Sequence, residues 1–178
     1  MPDRALIALC LFCPLAACTL PVAPAVEGDP AAARTMLEAV ATSGPVPLVV
    51  TAAPADFPPE TVAAAIARGI RGLEVRFAPA AGVPPNALLA SLTEVRPERL
   101  CREGAAAATG PTSTLVLVWC GQEEVVAAVE QPLPALSPEA VKRALWRAAA
   151  RLFPDRYPER YGIDLFGFRV SVSASVGF

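Results

Sequence analysis

Carboxylates are the side chains present in number that could do acid–base chemistry here. The 178-residue chain has 17 Asp and Glu residues and no histidine at all. Without histidine there is no imidazole base and no imidazole metal ligand. Ser-His-Asp and Cys-His catalysis are excluded within this chain. Lys142 is the sole lysine, and the remaining cations are arginines, which stay charged and serve poorly as bases. Asp155, Glu159 and Asp164 could converge as a carboxylate-dependent hydrolytic site, but their spacing matches no calcium loop. Glu123 and Glu124 fall on an expected strand, where neighbours point to opposite faces and cannot share a site. The sequence carries no G-x-S-x-G, S-x-x-K, phosphate-binding loop or G-x-G-x-x-G. A non-enzymatic protein is the leading expectation, with no cofactor and no metal site.

Two polar groupings suit binding better than catalysis. Asp155, Arg156, Tyr157, Glu159, Arg160 and Tyr161 make the most distinctive polar stretch, with Pro158 among them. Tyr and Arg combine contact area with directional hydrogen bonds, so the stretch reads as a candidate partner-docking loop, beside the plainer reading of a solvated connector. Arg143, Arg147 and Arg151 recur every four residues with Lys142 alongside, which places a basic stripe on one helix face. Such a stripe could meet anionic headgroups, or be merely a solvated face. The net charge of −2 gives no electrostatic case for nucleic acid.

The elements that must position these groups alternate between helical and extended patterns. Asp29-Pro30 reads as an N-cap and first helical residue, and Gly44-Pro45 ends that helix. Pro47–Thr51 reads as a buried strand, Phe57–Arg68 as a helix closed by Gly69, and Leu73–Phe77 as a half-buried strand. Residues 86–95 fit neither pattern decisively. Thr114–Cys120 is the strongest strand, and Gly121-Gln122 turns it into a second strand over Glu123–Glu130, giving a central hairpin. Ser137-Pro138-Glu139 caps the best helix, which runs to Phe153, with Val141, Leu145, Ala148 and Leu152 as its apolar stripe. Phe166–Phe178 alternates strictly and predicts a last strand. The whole predicts an α+β domain: a largely antiparallel sheet with about three helices packed on it.

The N-terminus bears on location. Ala5–Ala17 is a short apolar run ending in Leu15-Ala16-Ala17-Cys18. It is too short to span a bilayer, for which about 20 residues are needed. It resembles the leader and lipobox of bacterial lipoprotein precursors. The resemblance implies cleavage after Ala17, an acyl-bearing Cys18 and, since Thr19 rather than an acidic residue follows, sorting to the outer membrane facing the periplasm. Cys10 and Cys13 follow the bulky Leu9 and Phe12 and do not match. The implied organisation is a signal peptide over residues 1–17, a Pro- and Ala-rich lipidated tether over 18–28 and one domain over 29–178. With Cys18 lipidated, Cys101 and Cys120 remain as an even pair in an oxidising compartment and predict a disulfide; a free buried Cys120 and a reactive Cys101 are the alternatives.

The mature part also resembles a group of small bacterial lipoproteins with no known activity, through Gly44-Pro45-Val46-Pro47-Leu48, Leu100-Cys101-Arg102-Glu103-Gly104, Trp119-Cys120 and Leu152-Phe153-Pro154. The expected function is therefore an envelope lipoprotein that binds a protein partner or supports assembly, with membrane contact through the anchor. A carrier or sensor of a small apolar ligand is the second expectation, and the carboxylate hydrolase the third.

Overall fold

A computed structural model of the chain describes residues 25–53, 57–107, 114–133 and 135–155. In chain order the elements are β1 (Ala25–Gly28), α1 (Pro30–Ser43), β2 (Val46–Thr51), α2 (Pro59–Gly69), β3 (Phe77–Pro79), β4 (Ala87–Ser91), α3 (Pro97–Glu103) with a following 3-10 turn (Gly104–Ala107), β5 (Thr114–Cys120), β6 (Val125–Pro132) and α4 (Pro138–Leu152). The strands form one sheet in the order β1-β6-β5-β4-β2-β3. The β1–β6, β6–β5 and β5–β4 pairs are antiparallel, and β4–β2 and β2–β3 are parallel. The α+β expectation holds, with a mixed, mostly antiparallel sheet.

Alternation along the strands sends side chains to two separate cores. Leu48, Leu88, Leu117, Trp119 and Val129 join the buried stripes of α1, α2 and α4 on one face. Val49, Leu89, Val116, Val118 and Ala128 pack with Leu100, Cys101 and Ala107 of α3 and its 3-10 turn on the other. Covering both faces explains why Leu115–Cys120 is buried at every position and reads as a continuous apolar run. Trp119 lies in register with Leu88 on one side and the small Ala127 on the other. That leaves room for its indole to meet Phe153 edge-on, with ring centroids 5.6 Å apart at 86°.

The helix signals in the sequence correspond to real caps. Asp29 Oδ1 accepts from the amides of Ala31 and Ala32, each at 2.9 Å, with Pro30 in the first turn. Ser137 Oγ accepts from the Ala140 amide at 3.4 Å, and Phe153 closes α4 through its amide to the Ala149 carbonyl at 2.9 Å. The short helix α3 lies outside the sequence expectations; Pro97 begins it and Gly104 ends it.

Several expectations are corrected. The end of the anticipated tether, Ala25–Gly28, is an exposed edge strand paired with β6. Gly28, at φ 77°, then turns the chain into α1; a side chain there would collide with the Val126 carbonyl. Leu73–Arg76 is not a strand. Its would-be partner β2 begins only at Val46, opposite Phe77; the Val46 amide donates to the Arg76 carbonyl at 2.8 Å, and the ladder goes no further back. The ambiguous 86–95 stretch yields β4, whose five residues are all buried. The hairpin turn occupies Gly121–Glu124, closed by the Gly121 amide on the Glu124 carbonyl at 2.9 Å, so β6 starts at Val125 rather than Glu123. The expected last strand over 166–178 lies outside the described residues.

Candidate functional site

Helix α4 lies across the sheet between α1 and α2, and its two faces are sharply different. Val141, Ala144, Leu145, Ala148, Ala149 and Leu152 are buried. Arg143, Trp146, Arg147 and Arg151 are exposed. The arginines form the stripe anticipated from their spacing. Lys142 stands partly apart from it: half-buried, its Nζ donates to Glu139 Oε1 at 3.2 Å. Among the described residues, Arg143, Arg147 and Arg151 enter no ion pair.

Trp146 is the feature that the spacing argument left out. It is 38% exposed, one of few large apolar side chains on the described surface. It sits beside α2, where Gly69 packs against its backbone carbonyl and indole edge. The close approach of the two helices leaves a groove of about 350 Å³ lined by Ala65, Arg68, Lys142, Arg143 and Trp146. Three cations and an indole thus converge on one site. The signal was present in the sequence: Trp146 follows Lys142 by four and Arg143 by three, which places all three on one side of a helix. Arg68, contributed by a different element, carried no such signal.

The opposite side of the molecule is acidic. Glu130 of β6 faces the α3 side; burial pushes its carboxyl above the ordinary range, and the charges of Glu27, Glu94 and Glu98 push it further the same way. Nearby, Glu98, Arg102, Gln122, Glu123, Glu124 and Val125 line an open depression of about 770 Å³. Glu123 and Glu124 therefore share a site after all, because they belong to the turn and not to a strand. Arg99 partly balances this side by bonding Glu103 at 2.8 Å, which holds that carboxyl below its usual range. Among the described residues no cluster of acids or cysteines could hold a metal ion.

A third cavity, about 260 Å³, is lined by Ala31, Arg34, Thr35, Pro154 and Asp155. Arg34 is a buried guanidinium whose Nε donates to Glu38 Oε1 at 2.7 Å, while its Nη1 has no hydrogen-bond partner among the described residues. Of the candidate docking stretch, only Asp155 is described, at the rim of this cavity; Arg156, Tyr157, Glu159, Arg160 and Tyr161 lie outside the described residues, as do Cys18 and Asp164. Asp155 also approaches Gly72, in the turn after α2.

Cys101 and Cys120 are joined by a disulfide, both sulfurs in the second core, tying α3 to β5. The free-thiol alternatives are thereby set aside. Among the described residues no helix is long and apolar enough to cross a membrane. In comparisons with family models, with curated proteins and with solved structures, nothing matches this chain.

Proposed function

We propose that the chain is a bacterial envelope lipoprotein, held by an acylated Cys18 at the outer membrane and facing the periplasm, that works by binding a protein partner rather than by covalent chemistry. The observation that carries this reading is Leu15-Ala16-Ala17-Cys18 standing so close to the start of the fold. Strand β1 begins at Ala25. At about 3.5 Å per extended residue, the intervening chain reaches roughly 25 Å at most. An anchor on Cys18 holds such a domain against the bilayer rather than letting it range freely. The disulfide agrees with an oxidising compartment.

Partner binding is assigned to Asp155, Arg156, Tyr157, Glu159, Arg160 and Tyr161 on the chemistry of those side chains. A carrier of small apolar ligands draws no support from the cavities described above, since each is lined by at least one arginine. Mass spectrometry of the protein from envelopes tests the anchor: the expected N-terminus is Cys18 bearing diacylglycerol, and an intact Met1 overturns the reading. Photo-crosslinkers at Tyr157 and Tyr161 in living cells test the partner. Both positions are expected to trap the same envelope protein, and the adduct to vanish with Arg156→Ala and Arg160→Ala. Absence of a shared adduct overturns partner binding while leaving the anchor standing.

A further inference from the structure

We infer that the groove between α2 and α4 is a seat for anionic phospholipid headgroups, through which the domain lies with its helical layer on the membrane surface. The inference rests on the anchor reading only for the nearness of a membrane; the groove itself is argued from geometry. Arg68 on α2 and Lys142 and Arg143 on α4 line it, and the Trp146 side chain forms part of its wall. An indole that is 38% exposed, with its Cδ1 edge against Gly69 of α2, suits the headgroup level of a bilayer, where its ring is half in hydrocarbon and half in water. Arginine forks bind phosphate oxygens bidentately, and two of the three cations here are arginines. Arg147 and Arg151 continue the same exposed helix face beyond the groove. Among the described residues of α2 and α4, Glu139 is engaged with Lys142, and Glu60 lies at the opposite end of α2 from Arg68.

The charge distribution supports the orientation independently of the groove. The overall charge is −2, yet among the described residues α2 and α4 carry Arg68, Lys142, Arg143, Arg147 and Arg151 against Glu60 and Glu139, while the α3 side carries Glu94, Glu98, Glu103, Glu123, Glu124 and Glu130 against Arg99 and Arg102. Near a negatively charged leaflet such a domain turns its basic side inward and its acidic side away. The short reach from Cys18 to β1 lets the domain touch the leaflet, as it must, because that field decays over about 8 Å at physiological salt.

The experiment uses Trp146 as its own reporter. The chain has two tryptophans, and Trp119 is fully buried, so lipid-dependent emission comes from Trp146. The full protein is mixed with vesicles of phosphatidylcholine alone or with about a third phosphatidylglycerol, with or without bromine on the acyl chains. The expected result is a blue shift and bromine quenching only with phosphatidylglycerol, reversed by salt. Each groove cation removed is expected to weaken the response by about fivefold, read with Arg68→Gln and Arg143→Gln, both at exposed positions. Equal response on both vesicles, or none on either, overturns the inference. So does equal protection of Trp146 by inorganic phosphate, which would mark a site for the free anion, or by a polyglutamate peptide, which would mark an acidic protein partner. Vesicle attachment without a headgroup-dependent shift leaves the anchor intact and removes only the groove; a headgroup-dependent shift by protein whose N-terminus proves to be an intact Met1 keeps the groove and removes the anchor.

Discussion

Gly69 of α2 packs directly on the main-chain carbonyl of Trp146 in α4. A β-carbon at Gly69 would collide with that carbonyl and would come within 2.9 Å of the Ala149 β-carbon. Glycine is thus required for the close helix crossing that forms the basic groove. Gly69→Ala is expected to force the helices apart and cost about 1–3 kcal/mol, despite alanine's better helix propensity. Denaturant unfolding gives the stability change. Trp146 emission should shift red in the folded baseline, as the indole edge loses its contact with Gly69.

The disulfide links positions 19 apart in sequence and lies in the smaller of the two cores. On the chain-entropy estimate, closing such a loop contributes about 3 kcal/mol. Cys101→Ala with Cys120→Ala is expected to lower unfolding stability by that order. Both cysteines are fully buried, so dithiothreitol at neutral pH should reduce the native protein slowly and the unfolded protein quickly. Thiol labelling against denaturant concentration checks both statements.

Legibility in the sequence followed how local the determining interaction was. Asp29 and Ser137 announced their helices because a cap is decided within three residues. Thr114–Cys120 was legible because both its faces are buried, so apolarity alone marked it. Leu73–Phe77 misled because alternation reports which face is wet, not whether a neighbouring strand exists; β2 begins at Val46, opposite Phe77, and the ladder stops there. Residues 87–91 could not be settled as Ala-Leu-Leu-Ala-Ser, a composition that suits a helix and becomes strand only by lying between β2 and β5. The basic stripe was visible as a period of four. The groove was not, because Arg68 and Gly69 reach it from another element.

Glu130 gives the fold a pH dependence of defined sign. Burial, then the charges of Glu27, Glu94 and Glu98, raise its carboxyl above the ordinary glutamate range. The folded state therefore favours the protonated form. The associated stability is complete below the unfolded value and is lost as pH rises through the higher folded one. Above that window the ionised Glu130 is unfavourable among its acidic neighbours. Glu130→Gln should raise the Tm near pH 7, with the advantage fading toward pH 4. A thermal-melt series of both proteins across that range tests it; equal slopes would show that Glu130 ionises as freely as in the unfolded chain.

Among the described residues, Arg34 and Glu38 form the ion pair with the most deeply buried member. They are one helical turn apart on α1, joined at 2.7 Å, yet Arg34 is 3% exposed and Glu38 30%. Removing the two partners therefore has different consequences. Arg34→Met keeps the packing volume, removes a guanidinium whose Nη1 is unsatisfied, and leaves a carboxylate that water can reach. That change is expected to be neutral or stabilising, as when buried ion pairs give way to apolar side chains. Glu38→Gln leaves the buried guanidinium without its counter-charge, and should cost about 1–3 kcal/mol. Arg34→Ala should be worse than Arg34→Met, because it also opens a void beside the existing cavity. The order of the three unfolding midpoints is the test: Met highest, then Gln and Ala. If Arg34→Met instead falls with the other two, the guanidinium contributes through its charge, and the cavity beside Asp155 depends on it.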